Sequence, residues 1–234
     1  MVDRAREAIG ARGSFRLALS GGETPRPVFA RLTEGGCLSR MDWSRVSVFF
    51  VDERCVPPDD ARSNYAMARS VLLEHVPIAA ARVHRIHGED DPELAAAEYA
   101  RVLDTPEGGG ENGSDAAGRA RLDLALLGMG RDGHTASLFP GAAVVMELRR
   151  RVAAVYAEAS RIWRVTLTPV TLNATRNVLF LVSGREKAET LRQVLEGPHE
   201  PTVWPAQAIQ PHDGSLRWLV DAAAAARLDR ASGA

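Results

Sequence analysis

The chain has 234 residues, of which 45% are hydrophobic and 25% charged, with a formal net charge of −1. That length can bury a sizeable core in one α/β domain, and the near-neutral charge argues against nucleic acid or an anionic membrane as a partner. Cys37 and Cys55 have no metal-ligand spacing, residues 1–14 carry Arg4, Arg6 and Arg12 rather than a signal peptide, and no stretch approaches the roughly 18 apolar residues of a membrane span.

These features predict a soluble cytoplasmic protein with one domain over residues 1–234. In chain order, residues 3–12 read as a helix. Phe15, Leu17 and Leu19 alternate through a strand ending at Ser20-Gly21-Gly22. Thr24-Pro25 is a helix start, and Gly35-Gly36 its stop. The apolar run 46–51 reads as a strand covered on both faces, running straight into Asp52-Glu53-Arg54. A helix is predicted around 64–74, a short segment at 83–86 and an alanine-rich helix over 92–103. Residues 105–120, rich in Gly and polar side chains, read as a flexible surface loop.

A strong strand over 122–127 feeds Gly128–His134. Helical segments are expected at 136–138 and 144–148, strands at 152–156 and 164–168, a helix at 169–174 and a strand at 178–182. Ser183-Gly184 opens a helix over 185–195, stopped by Gly197-Pro198; a last strand, 216–220, precedes a final helix, 222–228. This alternation predicts a Rossmann-like α/β fold, a mainly parallel sheet with helices on both faces.

Ligands of such sheets bind at the carboxyl ends of the strands. Four polar segments directly follow predicted strands: Ser20–Thr24, Asp52–Arg54, Gly128–His134 and Ser183–Lys187. In the first, Ser20, Gly21, Gly22 and Thr24 precede a helix start, an arrangement suited to a phosphate. Of 29 basic residues, Lys187 alone is a lysine. Its compact ammonium opposes the dipole at the start of its helix, which a bound phosphate compensates. Arg164 is a second candidate anion ligand, or an edge arginine in a surface ion pair.

The glycine loop Gly128-Met129-Gly130-Arg131-Asp132-Gly133-His134 carries a histidine, a side chain whose unperturbed pKa of about 6.5 suits acid–base work. Asp132 either fixes the imidazole tautomer or caps a turn. In Asp52-Glu53-Arg54 one side chain should face the crevice and its neighbour point away. His84 and His87 are three apart, but nothing nearby supplies further zinc ligands, so no metal site is expected.

Leu-Ser-Gly-Gly-Glu-Thr-Pro, Val-Asp-Glu-Arg-Cys-Val-Pro, Ser63-Asn64-Tyr65 and Gly-Met-Gly-Arg-Asp-Gly-His-Thr-Ala-Ser-Leu-Phe-Pro-Gly, in this order from Phe15 to Val220, resemble the 6-phosphogluconolactonases. The resemblance implies hydrolysis of a small sugar-phosphate lactone in the oxidative pentose phosphate pathway, without metal or cofactor, by a monomer or weak homodimer. It implies that His134 activates water, that Arg54 stabilises the oxyanion, and that Ser20, Gly21, Gly22, Arg164 and Lys187 hold the 6-phosphate. Asp132 and Asp52 complete the catalytic candidates. Two departures stand out: relatives carry an additional strand and a longer helix before the first matched strand, and residues 157–164 lack the proline-rich approach to Arg164.

Within the same superfamily, amino-sugar-phosphate deaminases carry a glutamate before the closing Pro-Gly and an aromatic residue at the Arg54 position. This chain has Phe139 and Arg54 there, which favours hydrolysis. A sugar-phosphate sensor attached to a DNA-binding unit is disfavoured by the short segment before the first strand and has no need of His134 and Arg54 together.

Overall fold

The computed structural model describes residues 1–105 and 120–229, so the predicted loop 105–120 lies outside the described residues except for its two ends. Five strands, β1 (Phe15–Leu19), β2 (Val46–Phe50), β4 (Leu124–Gly128), β7 (Asn177–Val182) and β8 (Ser215–Val220), form a parallel sheet in the order β2-β1-β4-β7-β8. Three more, β3 (Asp52–Arg54), β6 (Ile162–Leu167) and β5 (Val152–Ala157), form an antiparallel sheet in that order. The helices are α1 (Val2–Arg12), α2 (Arg26–Leu32), α3 (Gly35–Leu38), α4 (Asn64–Val71), α5 (Pro92–Asp104), α6 (Pro169–Asn173) and α7 (Ala188–Glu196).

β1 and β2 are buried along their whole length, as the apolar runs predict for a covered parallel sheet. Even Arg16, between the alternating apolar residues of β1, is buried. Its guanidinium lies over the Phe49 ring and donates to the carbonyls of Leu103 and Thr105, closing the C-terminus of α5. Phe15, Phe29, Phe49, Phe50, Tyr99 and Phe180 are fully buried, each stabilising the core by about 1.5–3 kcal/mol or more. The Tyr99 hydroxyl accepts from the Phe50 amide at 2.7 Å, pinning α5 to the end of β2. Among the described residues, no helix is long and apolar enough to cross a membrane.

The largest departure from expectation is the second sheet. Asp52–Arg54 is not a loop after β2 but the strand β3, paired antiparallel with β6 (Asp52 opposite Thr166, Arg54 opposite Arg164). Val51 is the corner. Its amide donates to Leu19 of the parallel sheet, while its carbonyl accepts from Leu167 of the antiparallel one.

Smaller corrections follow from local chemistry. Pro25 already has helical angles (φ −78°, ψ −17°) and caps α2, one residue later than predicted. Gly35 and Gly36 do not stop a helix; α2 ends at Leu32 and the glycines lie inside α3. Residues 136–138 turn rather than coil, with Ala136 at φ 49° and Thr135 bridging to Leu138. The helix expected at 64–74 is α4 followed by a 3-10 turn, Leu73–His75, and the final helix is only the 3-10 turn Ala224–Arg227.

Candidate active site

The chain steps outward from β1 to β2 on one side, and β4, β7 and β8 extend the sheet on the other. The loops after β1 and β4 therefore diverge at the switch point of the sheet, where a crevice forms. A cleft of about 200 Å³ lies there, lined by Ser20, Gly21, Gly22, Thr24, Asp52, Arg54, Asn64, His134, Arg164 and Lys187 among others. A second cavity of about 370 Å³ adjoins it, and the two share Gly22, Glu23, Arg54, Asn64 and Arg164. Of the ten candidate residues, nine line the cleft; Asp132 stands behind His134.

Asp132 does both things its position allowed. Its Oδ1 accepts from the His134 backbone amide at 3.3 Å and lies 2.6 Å from the ring Nδ1. The hydrogen bond from His134 holds Asp132 below the usual carboxylate value against the effect of partial burial. Gly130 makes room for the pair, because a Cβ there would sit 2.2 Å from His134 Nδ1 and 2.5 Å from Asp132 Oδ1. Only Gly133 of this loop's three glycines needs a positive φ, 79°. Thr190 of α7 donates to the Arg131 carbonyl at 2.6 Å and Ala206 to that of Gly133 at 2.9 Å, so the loop is tied on two sides. The Phe139 ring lies 5.1 Å from the His134 ring, and the Arg164 guanidinium 5.5 Å from Phe139.

Along β3 the side chains alternate as expected. Asp52 and Arg54 face the cleft, while Glu53 points away and is buried. Asp52 accepts from Ser137 Oγ at 2.6 Å and from Asn64 Nδ2 at 3.0 Å, with Arg164 Nη1 at 3.7 Å. Arg164 is thus not a surface edge residue. It stands opposite Arg54 across the β3–β6 ladder, an unfavourable like-charge pairing unless an anion joins it. Burial lowers its pKa, Asp52 pulls it back up and Arg54 lowers it further. Its Nε is buried with no hydrogen-bond partner among the described residues, and the same holds for Ser20 Oγ.

The Ser20–Thr24 loop contains one positive φ, 93° at Gly22, and Thr24 Oγ1 lies 3.4 Å from Ser183 Oγ. α2 is only seven residues long, so the amides and hydroxyls of this loop offer more to an anion than a helix dipole does. Lys187 ends the 3-10 turn Arg185–Lys187 and caps α7. It forms no ion pair among the described residues.

Sequence reasoning gave no role to Glu53, Asn64 or Ser137. Their signals were a carboxylate in a charged run, the first residue of a helix and a serine in a motif; only long-range pairing brings Asn64 to the cleft and sets Glu53 and Ser137 behind the residues that line it. One correction concerns His87. Asp90 and Glu98 lie 3.6 and 3.9 Å from its Nδ1 in an exposed cluster, so nearby groups that could act as ligands do exist. His84 takes no part in that cluster and stacks on Phe49 at 4.6 Å.

Residues 1–218 match the family model described as glucosamine-6-phosphate isomerases/6-phosphogluconolactonase. The chain is 38% identical to a 6-phosphogluconolactonase of Nostoc sp. over 94% of its own length and 88% of the relative's. It is 38% identical to a human 6-phosphogluconolactonase, with 92% of this chain and 81% of the human one covered. The solved 6-phosphogluconolactonase of Trypanosoma brucei superposes with a TM-score of 0.80 at 29% identity, covering 97% of this chain and 91% of that one. The chain therefore belongs to the glucosamine-6-phosphate isomerase/6-phosphogluconolactonase family.

Proposed function

We propose that the protein hydrolyses 6-phosphoglucono-1,5-lactone to 6-phosphogluconate, the lactonase step of the oxidative pentose phosphate pathway. The observation that carries this reading is the Asp132–His134 pair, 2.6 Å long, in one cleft with Arg54, Arg164 and Lys187. The wider family contains both deaminating and hydrolysing branches, and Phe139 favours the second. Its apolar ring packs 5.1 Å from His134, where a ring-opening glutamate would have to act.

In the proposed reaction Asp132 accepts a hydrogen bond from Nδ1–H of His134, which leaves Nε2 as the base. Nε2 takes a proton from water as the water oxygen attacks C1 of the lactone. The carbonyl oxygen becomes an oxyanion beside the Arg54 guanidinium, the position at which charge stabilisation contributes most. Collapse breaks the bond from C1 to the ring oxygen, and the imidazolium returns its proton to that leaving oxygen. The product is an open-chain carboxylic acid, which loses its proton to solvent and becomes the carboxylate, and His134 is again neutral.

The 6-phosphate is assigned to Ser20, whose buried Oγ lacks a partner among the described residues, to Gly21, Gly22 and Thr24, and to the cations Arg164 and Lys187. Binding this remote group orients C1 over His134, which is how such energy becomes rate. Asp52 touches no reacting atom in this scheme; it sets the polar frame by binding Ser137, Asn64 and Arg164.

His134→Ala tests the assignment. Turnover is expected to fall on the order of 10²–10⁴-fold, the range of general acid–base contributions. Calorimetric affinity for 6-phosphogluconate should stay close to wild type. A variant with near-normal turnover contradicts His134 as the base.

A further inference from the structure

Ser63-Asn64-Tyr65 is the one quoted motif that the proposed reaction does not use. Asn64 is the first residue of α4 and is 2% exposed, yet its side chain lines the cleft. Its Nδ2 donates to the Asp52 backbone carbonyl at 2.9 Å and to Asp52 Oδ1 at 3.0 Å. Its Oδ1 accepts from Arg54 Nη1, which also donates to the Arg62 carbonyl at 2.8 Å. Gly21 packs directly on the amide: a Cβ there would come within 1.7 Å of Asn64 Oδ1.

Below the amide, Glu53 fastens the start of α4 to β3. Its buried carboxylate accepts from the backbone amides of Arg54 (2.8 Å), Asn64 (2.7 Å) and Tyr65 (2.8 Å), and from Ser63 Oγ (2.9 Å). One carboxylate therefore fixes both the strand that carries Arg54 and the residue that touches its guanidinium.

We infer that Asn64, clamped by Glu53, is a positioning residue that aims the Arg54 guanidinium at the reacting carbonyl and couples it to the Ser20–Thr24 loop through Gly21. The chemistry requires an amide. A primary amide is at once a donor to a carboxylate and an acceptor from a guanidinium, whereas a carboxylate accepts only and an alkyl group does neither. Without that acceptor, Arg54 keeps its charge and its place on β3 but loses the contact that selects one orientation of a flexible side chain. The inference rests on the role of Arg54 in the proposed hydrolysis, and its test separates the two.

The test measures kcat and KM for freshly generated 6-phosphoglucono-1,5-lactone with Arg54→Ala, Asn64→Ala and the double variant, each checked by thermal melting. Arg54→Ala should lower kcat by about 10²-fold or more, the effect of removing one oxyanion donor. Asn64→Ala should lower kcat by about tenfold or more while KM stays within about threefold, as expected when an interaction made in the transition state is lost. The double variant should be no slower than Arg54→Ala alone, because Asn64 acts through Arg54.

Asn64→Asp keeps the side-chain shape and carries the test if Asn64→Ala does not hold the fold. It sets a second carboxylate against Asp52. The charged groups around that pair are Arg54 on β3 with Glu53 behind it, Arg164 on β6, and Glu23, His134 and Lys187 elsewhere around the cleft. Relative to wild type at each pH, its kcat should be lowest at neutral pH and recover on acidification, as one of the two carboxylates takes a proton.

If Arg54→Ala is slow while Asn64→Ala or Asn64→Asp turns over normally, the positioning role is wrong and the hydrolysis reading stands. If the losses of the two single variants multiply in the double variant, Asn64 acts independently of Arg54, which also overturns the inference. If Arg54→Ala itself keeps wild-type kcat, the proposed role of Arg54 fails first.

Discussion

Gly130→Ala is a one-methyl probe of the His134–Asp132 pair. Gly130 does not have a positive φ, so alanine meets no backbone strain there. The added Cβ would lie 2.2 Å from His134 Nδ1, 2.3 Å from Cε1 and 2.5 Å from Asp132 Oδ1, all far inside contact distance. To clear it, the imidazole or the carboxylate must retreat by about 1 Å, a displacement that costs on the order of 10²-fold in rate when it misplaces a catalytic group. The loop itself should persist, because Thr190 and Ala206 hold the Arg131 and Gly133 carbonyls independently of Gly130. The assay is indicator-monitored proton release from freshly generated lactone, corrected for spontaneous hydrolysis, with KM and melting temperature measured alongside. The expected result is kcat lowered about 10²-fold with KM little changed, since the proposed phosphate ligands lie in other loops. Wild-type kcat in a folded Gly130→Ala protein refutes the claim that the paired geometry drives the reaction.

Three further outcomes are expected. Lys187→Ala should raise KM by about 10- to 100-fold, the worth of one hydrogen bond to a charged group, and an unchanged KM removes Lys187 from the phosphate site. Burial lifts the Glu53 pKa above 4.5 despite four hydrogen bonds that lower it, so the folded protein binds this proton more tightly than the unfolded chain. The stability that this carboxyl contributes is complete below pH 4.5 and is lost as pH rises through the folded value; the melting temperature of wild type minus that of Glu53→Gln should therefore fall over that window, and a flat or rising difference contradicts it. Burial first, then the charges of Glu53 and Asp91, push the Cys55 thiol to about 11. At pH 8 only about a thousandth of it is then thiolate, so alkylation of Cys55 followed by mass spectrometry should speed up about tenfold per pH unit up to pH 10, and pH-independent labelling refutes the assignment.

The parallel sheet was legible because β1, β2 and β4 are short, mainly apolar runs buried along nearly their whole length, with glycine-rich turns after β1 and β4. Placing the Ser20–Thr24 loop, the glycine loop and Lys187 at one edge follows from that topology alone. The antiparallel sheet was not legible. β3 is three residues long and wholly charged, and what makes it a strand is β6, more than a hundred residues later in the chain. The same pairing takes Arg164 off the surface, where local sequence had left it between anion ligand and surface ion pair. Gly130 is one of three glycines in its loop by sequence but, unlike Gly133, it serves as empty space for a histidine, a distinction only three-dimensional packing can draw. Asn64 read as a helix start. The distant partners Asp52, Arg54 and Gly21 give its amide a second purpose.

The most direct test of the account offers the purified protein freshly generated 6-phosphoglucono-1,5-lactone and glucosamine 6-phosphate side by side. The account predicts proton release from the first well above the spontaneous rate and no ammonia from the second. Ammonia from glucosamine 6-phosphate, or a lactone rate no faster than water alone, would contradict it.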